Sequence, residues 1–381
     1  MTATIYETED LAAIRSQTRR FVQKKVRGKG DEWEERGEVP RSILDEMGSI
    51  GFFGLRVPEE YGGIGMGELA SVVLAEELAG GTYGGFTATA IVHTDLAMPY
   101  LLNFGSDEQK RRWLPDMLTG KIFTAIGVTE PDAGSDVGAI RTSAVRDGDG
   151  WRLNGSKLYI TNGGVADLLF IAAKTNSEVK SSRGITIFAV PSDTEGFEAS
   201  RKLDKMGWRS SNTAELSFED AWVPDENVIG DVDTGFYSIM NNFQNERLVL
   251  GAMAVGEAST AIEITLDWVR NRMAFGSPLW DKQAIRQRLA MDAAEVEAAR
   301  QLVYHAGWLM EQGHDAVKEV SMVKSYVGEL VNRVLYDCVQ FHGGMGYLRE
   351  SAVERMYRDA RLHSIGGGAT EVMLEEIAKR M

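Results

Sequence analysis

The sequence predicts an α+β protein of three domains. An all-helical N-terminal domain spans residues 1–123, a central antiparallel β-barrel or sandwich spans 124–232, and a C-terminal four-helix bundle spans 233–381. Three observations carry this. A chain of 381 residues is too long for one ordinary core. Its two ends repeat apolar residues at helical spacing, whereas its middle is a series of short β-branched and aromatic segments punctuated by turns. The order is helices, sheet, helices, with no internal repeat.

In the first domain a helix begins near Asp10 and carries Leu11, Ile14, Thr18, Phe21 and Val22 on one face. Another runs from Pro40 and Arg41 to a stop at Gly48/Gly51. Ser106-Asp-Glu-Gln109 reads as a capping box ahead of Lys110 to Leu118. Between them, Tyr61-Gly-Gly-Ile-Gly-Met-Gly67 is a loop. Glu68 stands where a Gly-x-Gly-x-x-Gly fingerprint needs its last glycine, so a Rossmann unit is not indicated. In Leu78-Ala-Gly-Gly-Thr-Tyr-Gly-Gly-Phe86 the glycines, Gly81 and Gly85 among them, either free volume for a ligand or end one helix before the next.

The middle region opens its turns at Asp147-Gly-Asp-Gly150 and Asn154-Gly155. Strands are expected at Trp151–Leu153, Lys157–Thr161, Leu168–Ala173, Ile185–Val190 and Ala214–Phe218, with no helix-length pattern between them. After Pro224 the helical period returns over 234–271, 282–312 and 315–341, and again from 370.

Charge and composition exclude several classes. A net charge of −15 argues against a nucleic-acid partner, which needs a basic face. It leaves room for an anionic ligand held by a local basic or amide-lined patch. A single cysteine, Cys338, permits no disulfide within the chain and fits a reducing compartment. The histidines are scattered without metal-ligand spacing, so no metal is expected. Met1 to Leu11 is acidic and lacks a basic or apolar leader pattern, and no uninterrupted apolar run has the length of a membrane span. A cytoplasmic enzyme is the expectation.

Several strings carry chemistry. Gln340-Phe-His-Gly-Gly-Met-Gly-Tyr347 and Ile365-Gly-Gly-Gly-Ala-Thr-Glu-Val372 bracket the charged Glu354–Arg361 stretch. Glycine lets backbone approach a flat ring or an anionic group, so two clusters near one helix point to a large cofactor; each alone could be a helix C-cap. Val128-Thr-Glu-Pro-Asp-Ala-Gly-Ser-Asp136 is a loop of small hydroxyl residues and glycine, suited to phosphate oxygens or a polar ring edge, or simply a polar loop. Tyr159 in Leu153–Gly163 is either a stacking face or a barrel-core aromatic. Arg272 in Arg272-Met-Ala-Phe-Gly-Ser-Pro-Leu279 is either a phosphate ligand or a solvated helix-end charge.

Together with Lys205–Ser211 and Glu219–Pro224, these strings run in order along nearly the whole chain and resemble the acyl-CoA dehydrogenase family. The resemblance implies that family's fold and an FAD between barrel and bundle. It implies flavin contacts from Ile126, Val128, Thr129, Gly134, Ser135, Tyr159 and Thr161. Tyr159 stands where many members have Trp, a mild departure. Arg272, Phe275, Gln283, Gln340 and Gly344 would meet the adenosine and pyrophosphate end of a neighbouring subunit's FAD, so a dimer or tetramer follows. Ala369 replaces the family's threonine in the late loop, with Thr370 next to it, and Glu371 follows where some members have Gln. The implied reaction is α,β-dehydrogenation of an acyl-CoA to the trans-2-enoyl-CoA, with hydride transfer to flavin N5 and electron-transferring flavoprotein as reoxidant.

Removing an α-proton needs a nearby base and donors for the developing oxyanion. Many members use a glutamate in the late loop; here that position is Gly367, which offers only its N–H to the thioester carbonyl. Glu246, in Asn245-Glu-Arg-Leu248, matches the base position of the long-chain and isovaleryl-type members. Its neighbours Val249, Leu250 and Met253 are apolar, and burial among them would raise its pKa. A surface acid is the alternative reading. Arg247 is given a supporting role, and Ser135, Arg247, Gly81 and Gly85 are expected near substrate. A long or branched acyl group is favoured. The rival readings are a dehydrogenase of carrier-protein-bound acyl groups, a flavin monooxygenase on the same fold, and a non-catalytic scaffold.

Overall fold

Helices α1 (Glu9–Phe21), α2 (Gly30–Arg36), α3 (Arg41–Ser49), α4 (Glu68–Ala79), α5 (Gly84–Ile91), α6 (Met98–Phe104) and α7 (Asp107–Leu118) open the computed structural model, which describes residues 5–179 and 182–381. The first four residues of the acidic N-terminal stretch lie outside the described residues. Helix α1 buries Leu11, Ile14, Thr18 and Phe21, as its spacing predicts. The capping box before α7 is reciprocal. Ser106 Oγ accepts from the Gln109 amide at 3.2 Å, and Gln109 Oε1 accepts from the Ser106 amide at 2.9 Å.

The middle region holds β1 (Thr124–Gly127), β2 (Ser143–Asp147), β3 (Gly150–Thr161), β4 (Leu168–Lys174), β5 (Ile185–Pro191), β6 (Phe197–Lys202), β7 (Thr213–Pro224) and β8 (Val228–Ile229). They form one sheet ordered β6-β7-β3-β2-β4-β5-β8, with β1 also beside β4. Two expectations are corrected here. The sheet does not close into a barrel, because β6 and β8 are free edges, and β2 joins β4 through the single pair Ser143–Lys174. Nor is it wholly antiparallel, since β1 lies parallel to β4 from Thr124–Leu168 to Gly127–Ile171. Asn154-Gly155 is not a turn. Strand β3 runs straight through it with a bulge between Leu153 and Gly155, which Gly155 accommodates at φ +145°.

The C-terminal part comprises α8 (Gly235–Asn271), the two-residue-turn hairpin β9 (Met273–Ala274) and β10 (Ser277–Pro278), α9 (Gln283–Glu311), α10 (Val317–His342), α11 (Ala352–Ala360) and α12 (Thr370–Ala378). Helix α8 packs against α4, α9 and α10, and α12 lies on α10. With 37 residues α8 is about 55 Å long. One stretch of it reaches a mean hydropathy of 1.3, apolar and long enough to cross a membrane by composition, contrary to the sequence expectation, yet 83% of that stretch is buried within the fold. It is the central core helix. The N- and C-terminal helices therefore share one apolar core, in which Val72, Val73 and Leu78 of α4 join Leu248, Val249 and Met253 of α8.

Helix α11 explains the charged Glu354–Arg361 stretch. Its Arg355 and Asp359 point inward and pin three parts of the chain together. Asp359 accepts from the Gly84 amide at 3.0 Å and from the Trp208 amide at 2.6 Å. Arg355 donates to the Thr82 carbonyl at 2.9 Å and covers the Tyr83 ring at 3.9 Å. Burial, then the nearby Glu34 and Glu257, push the Asp359 carboxyl up to about 7.

Candidate active site

Glu246 sits about three turns inside α8. The side chains expected beside it, Val249, Leu250 and Met253, are buried. Glu246 itself is partly exposed, and it forms no ion pair among the described residues. Burial raises its carboxyl to about 7, against the opposing pull of Arg247 and Lys324. A carboxyl held there is half ionised near neutral pH, which suits a general base.

Gly367 reaches this carboxylate from 121 positions away in the chain. It adopts φ +68°, and a side chain built there would meet Leu250 Cδ1 and lie 3.2 Å from Glu246 Oε1. The two positions at which a base is conceivable therefore converge on one locus, and a glycine at 367 makes room for the acid on α8. The Gly367 carbonyl accepts from Arg247 Nε at 3.3 Å, while the Gly367 N–H has no hydrogen-bond partner among the described residues. Arg247 also covers the Phe243 ring at 5.3 Å. Thr370, next to Ala369, directs its hydroxyl to Glu329 at 2.9 Å rather than into this space, and Glu371 is exposed.

The 128–136 loop is tied to β3 by a buried ion pair. Lys157 Nζ donates to Glu130 Oε1 at 2.6 Å and to the Val128 carbonyl at 3.3 Å. Glu130 also accepts from the Arg141 and Thr142 amides at 2.6 and 3.0 Å. Burial opposes the charge of Glu130, but Lys157 and the amide donors hold its carboxyl below the usual range, while burial brings Lys157 down to about 8. So anchored, the loop presents Gly134 and Ser135 to open space. Val128 is buried, and Ile126 and Thr129 are partly so. On the adjacent end of β3, Tyr159 is 65% exposed at φ +63°, within a second bulge between Lys157 and Ile160. Thr161 follows, half-buried. Tyr159 is therefore no core aromatic.

Arg272, Phe275, Gln283, Gln340 and Gly344 gather at the far end of the bundle and are all exposed. Trp268 links them. Its ring stacks on His342 with centroids 5.1 Å apart, its Nε1 donates to the Phe341 carbonyl at 3.2 Å, and Arg272 covers it at 5.9 Å. Phe275 and Gly276 take φ +51° and +78° at the hairpin tip, leaving the Phe275 ring 98% exposed. Along α8, Arg272 lies about 39 Å from Glu246 at the helical rise.

Gly81 and Gly85 border no open space. A Cβ at Gly81 would lie 2.9 Å from Val26, and one at Gly85 would lie 2.5 Å from Ser210 Oγ and 2.6 Å from the Ser211 amide. The chain itself fills the room they leave, so close packing replaces the expected ligand volume. Gly85→Ala is expected to cost about 1–3 kcal/mol through overpacking, measured by thermal or urea unfolding, with no change in acyl-chain preference.

Lys324, on α10, escaped sequence reasoning. It is 2% exposed, and its ammonium donates to the carbonyls of His363 and Gly368, the latter at 3.1 Å. Behind the same loop the His363 ring pairs with Glu257 at 2.8 Å.

Family profiles for the acyl-CoA dehydrogenase N-terminal, middle and C-terminal domains match residues 8–121, 125–221 and 233–381. The chain belongs to the acyl-CoA dehydrogenase family. The pig mitochondrial long-chain specific acyl-CoA dehydrogenase is 39% identical over 370 residues, covering 97% of this chain and 85% of the relative. The CarC subunit of the caffeyl-CoA reductase-Etf complex of Acetobacterium woodii is 38% identical, covering 97% of both chains. The crystal structure of an acyl-CoA dehydrogenase from Geobacillus kaustophilus superposes with a TM-score of 0.96 at 39% identity, covering 99% of both chains.

FAD is the cofactor of this acyl-CoA dehydrogenase, and the residues present fit it. Tyr159 offers an exposed ring held out by a bulge, and Gly134 and Gly344 leave open space where a side chain would stand. The exposed Arg272 carries a guanidinium of the kind that suits a diphosphate.

Proposed function

We propose that this acyl-CoA dehydrogenase uses Glu246 to take the α-proton of an acyl-CoA thioester. The observation that carries the proposal is the placement of an unpaired, raised carboxyl against the Gly367 backbone. The Gly367 N–H, free of any partner among the described residues, is the donor for the thioester carbonyl as negative charge builds on its oxygen. Arg247 holds that loop through the Gly367 carbonyl and leaves proton transfer to Glu246. Tyr159 and Thr161 would hold the flavin of FAD, which would supply the acceptor for the β-hydrogen and its electron pair. The buried Val249, Leu250 and Met253 beside the base favour its neutral form and so keep its basicity matched to neutral pH.

The proposal extends to a long or branched acyl group, supported by likeness to the long-chain specific relative. Electron-transferring flavoprotein is the proposed acceptor, in line with the name of the Etf-complex relative. A dimer or tetramer is proposed because the distal residues at Arg272 and Gln340 are too far along the bundle from Glu246 to serve the same dinucleotide in one chain.

The test is an anaerobic titration of the flavoprotein with straight and branched acyl-CoAs. Bleaching by a subset names the substrate. Bound FAD that no acyl-CoA bleaches would move the carrier-protein and monooxygenase readings ahead. The rate of bleaching is expected to rise with pH through about 7, because Glu246 must be ionised to act and its carboxyl is raised to that value. A stopped-flow pH profile flat from pH 6 to 8 would remove Glu246 from the role.

A further inference from the structure

The glycine run Gly366–Gly368 has little of its own to hold it in place. Residues 366–369 read Gly-Gly-Gly-Ala, so no side chain larger than a methyl packs there. Gly367 and Gly368 take φ +68° and +111°, and glycine loses more conformational freedom on ordering than any other residue. Order has to come from outside the loop. At the loop's start the buried His363 ring pairs with Glu257 and Ser364 Oγ donates to the Gly328 carbonyl; beyond these, two cations bind the backbone. Lys324 Nζ donates to the carbonyls of His363 and Gly368, five positions apart, and Arg247 Nε donates to the Gly367 carbonyl between them.

Lys324 is unusual in what surrounds it. It is buried to 2% exposure and forms no ion pair among the described residues. A buried cation solvated only by carbonyls is costly, and an apolar side chain of the same volume would serve a merely structural position better. The ammonium nevertheless lies next to the catalytic locus. A Cβ at Gly367 would stand 3.2 Å from Glu246 Oε1 and 3.6 Å from Lys324 Cε, so the two side chains flank the same residue.

We propose that Lys324 is a positioning residue for the dehydrogenation: its ammonium clamps both ends of the 363–368 loop, setting the Gly367 N–H against the substrate while its charge lies beside the Glu246 carboxyl. The catalytic half of this rests on the function proposed above; the clamp does not. The charged and titratable groups around Lys324 are Glu246 and Arg247 from α8 and Glu329 from its own helix, with Tyr100 of α6 facing Glu246. Burial lowers the lysine's pKa, and the nearby Glu246 opposes that shift.

The test compares wild type, Lys324→Met and Lys324→Gln as FAD-loaded enzymes. Met removes donor and charge with little change in volume; Gln removes the charge and keeps an N–H donor. Hydrogen exchange of the peptide covering 361–372 is expected to quicken in the Met variant and to be partly protected in the Gln variant, with exchange elsewhere unchanged. In both variants the pH at which flavin reduction becomes half-maximal is expected to move upward, because a cation that favours the carboxylate has gone. The Met variant is expected to lose about tenfold or more in the reduction rate at saturating substrate. Unchanged exchange over 361–372 in the Met variant would overturn the clamp, and an unmoved pH midpoint would overturn the electrostatic role. If wild type is not bleached by any acyl-CoA, the proposed function falls, and the exchange measurement still decides the clamp.

Discussion

Glu246→Gln is expected to bind FAD and acyl-CoA normally and to lose roughly 10³-fold or more in the rate of flavin reduction. Gln is nearly isosteric with Glu, so the Gly367 loop and the Leu250 contact stay in place, but the amide cannot accept the α-proton. The variant also has a stability signature. The folded carboxyl is raised to about 7, above its unfolded value, so the native state binds more protons than the unfolded chain between the two. Wild-type stability should therefore fall as pH rises through that window. The glutamine variant lacks this component of the slope, so its stability relative to wild type should increase from pH 5 to pH 8. Urea titrations at several pH values measure the difference, and parallel pH dependences would mean that Glu246 is ionised as readily folded as unfolded.

Lys157→Met is expected to be the most destabilising single change around the 128–136 loop, at about 3–5 kcal/mol. It leaves Glu130 buried with its cation gone, although the Arg141 and Thr142 amides remain. The sign with pH is opposite to that of Glu246. Glu130 is held below its usual range, so its contribution is present above the unfolded pKa and is lost as pH falls through the folded value. The Met variant should accordingly show less acid sensitivity than wild type. Its FAD content should fall too, because the same ion pair fixes the loop that displays Gly134 and Ser135. Combining Lys157→Met with Glu130→Gln should recover a substantial part of the loss, since a neutral pair no longer strands a charge. A double variant as unstable as the single one would show that packing, not charge, dominates at this position.

How much of this was legible beforehand depended on the range of the interactions. Helices such as Glu9–Phe21 and the Ser106 capping box follow from neighbours within a few residues, and their residues fall where periodicity and cap chemistry place them. Glu246 is singled out by the family resemblance and by the glycine at 367, while the apolar Val249 and Leu250 beside it follow from helical spacing and are buried. The sheet was harder. Asn154-Gly155 carries the signature of a turn, but the same positive φ serves a bulge, and pairing of β3 with β7 more than 60 residues away decides between them. The polar strand Phe197–Lys202 has no apolar alternation to announce it. The glycines at 81 and 85 could not be read as packing sites without knowing that Val26 and the 208–211 loop press against them. Lys324 gave no signal at all, because its partners are backbone carbonyls, which every residue has.

The meeting of Glu246 with Gly367 bears on how such an enzyme can diverge. A carboxylate reaching in from either the long helix or the late loop would occupy the same few ångströms. An ancestor could therefore hand its base from one stretch of chain to the other while substrate, flavin and oxyanion donor kept their places. The obstacle to the return journey is local: a residue at 367 must tolerate a left-handed backbone and push Leu250 aside. Sequence position would then be a poor guide to ancestry of function here, and the side chain at 250 the gatekeeper of which address the base can use.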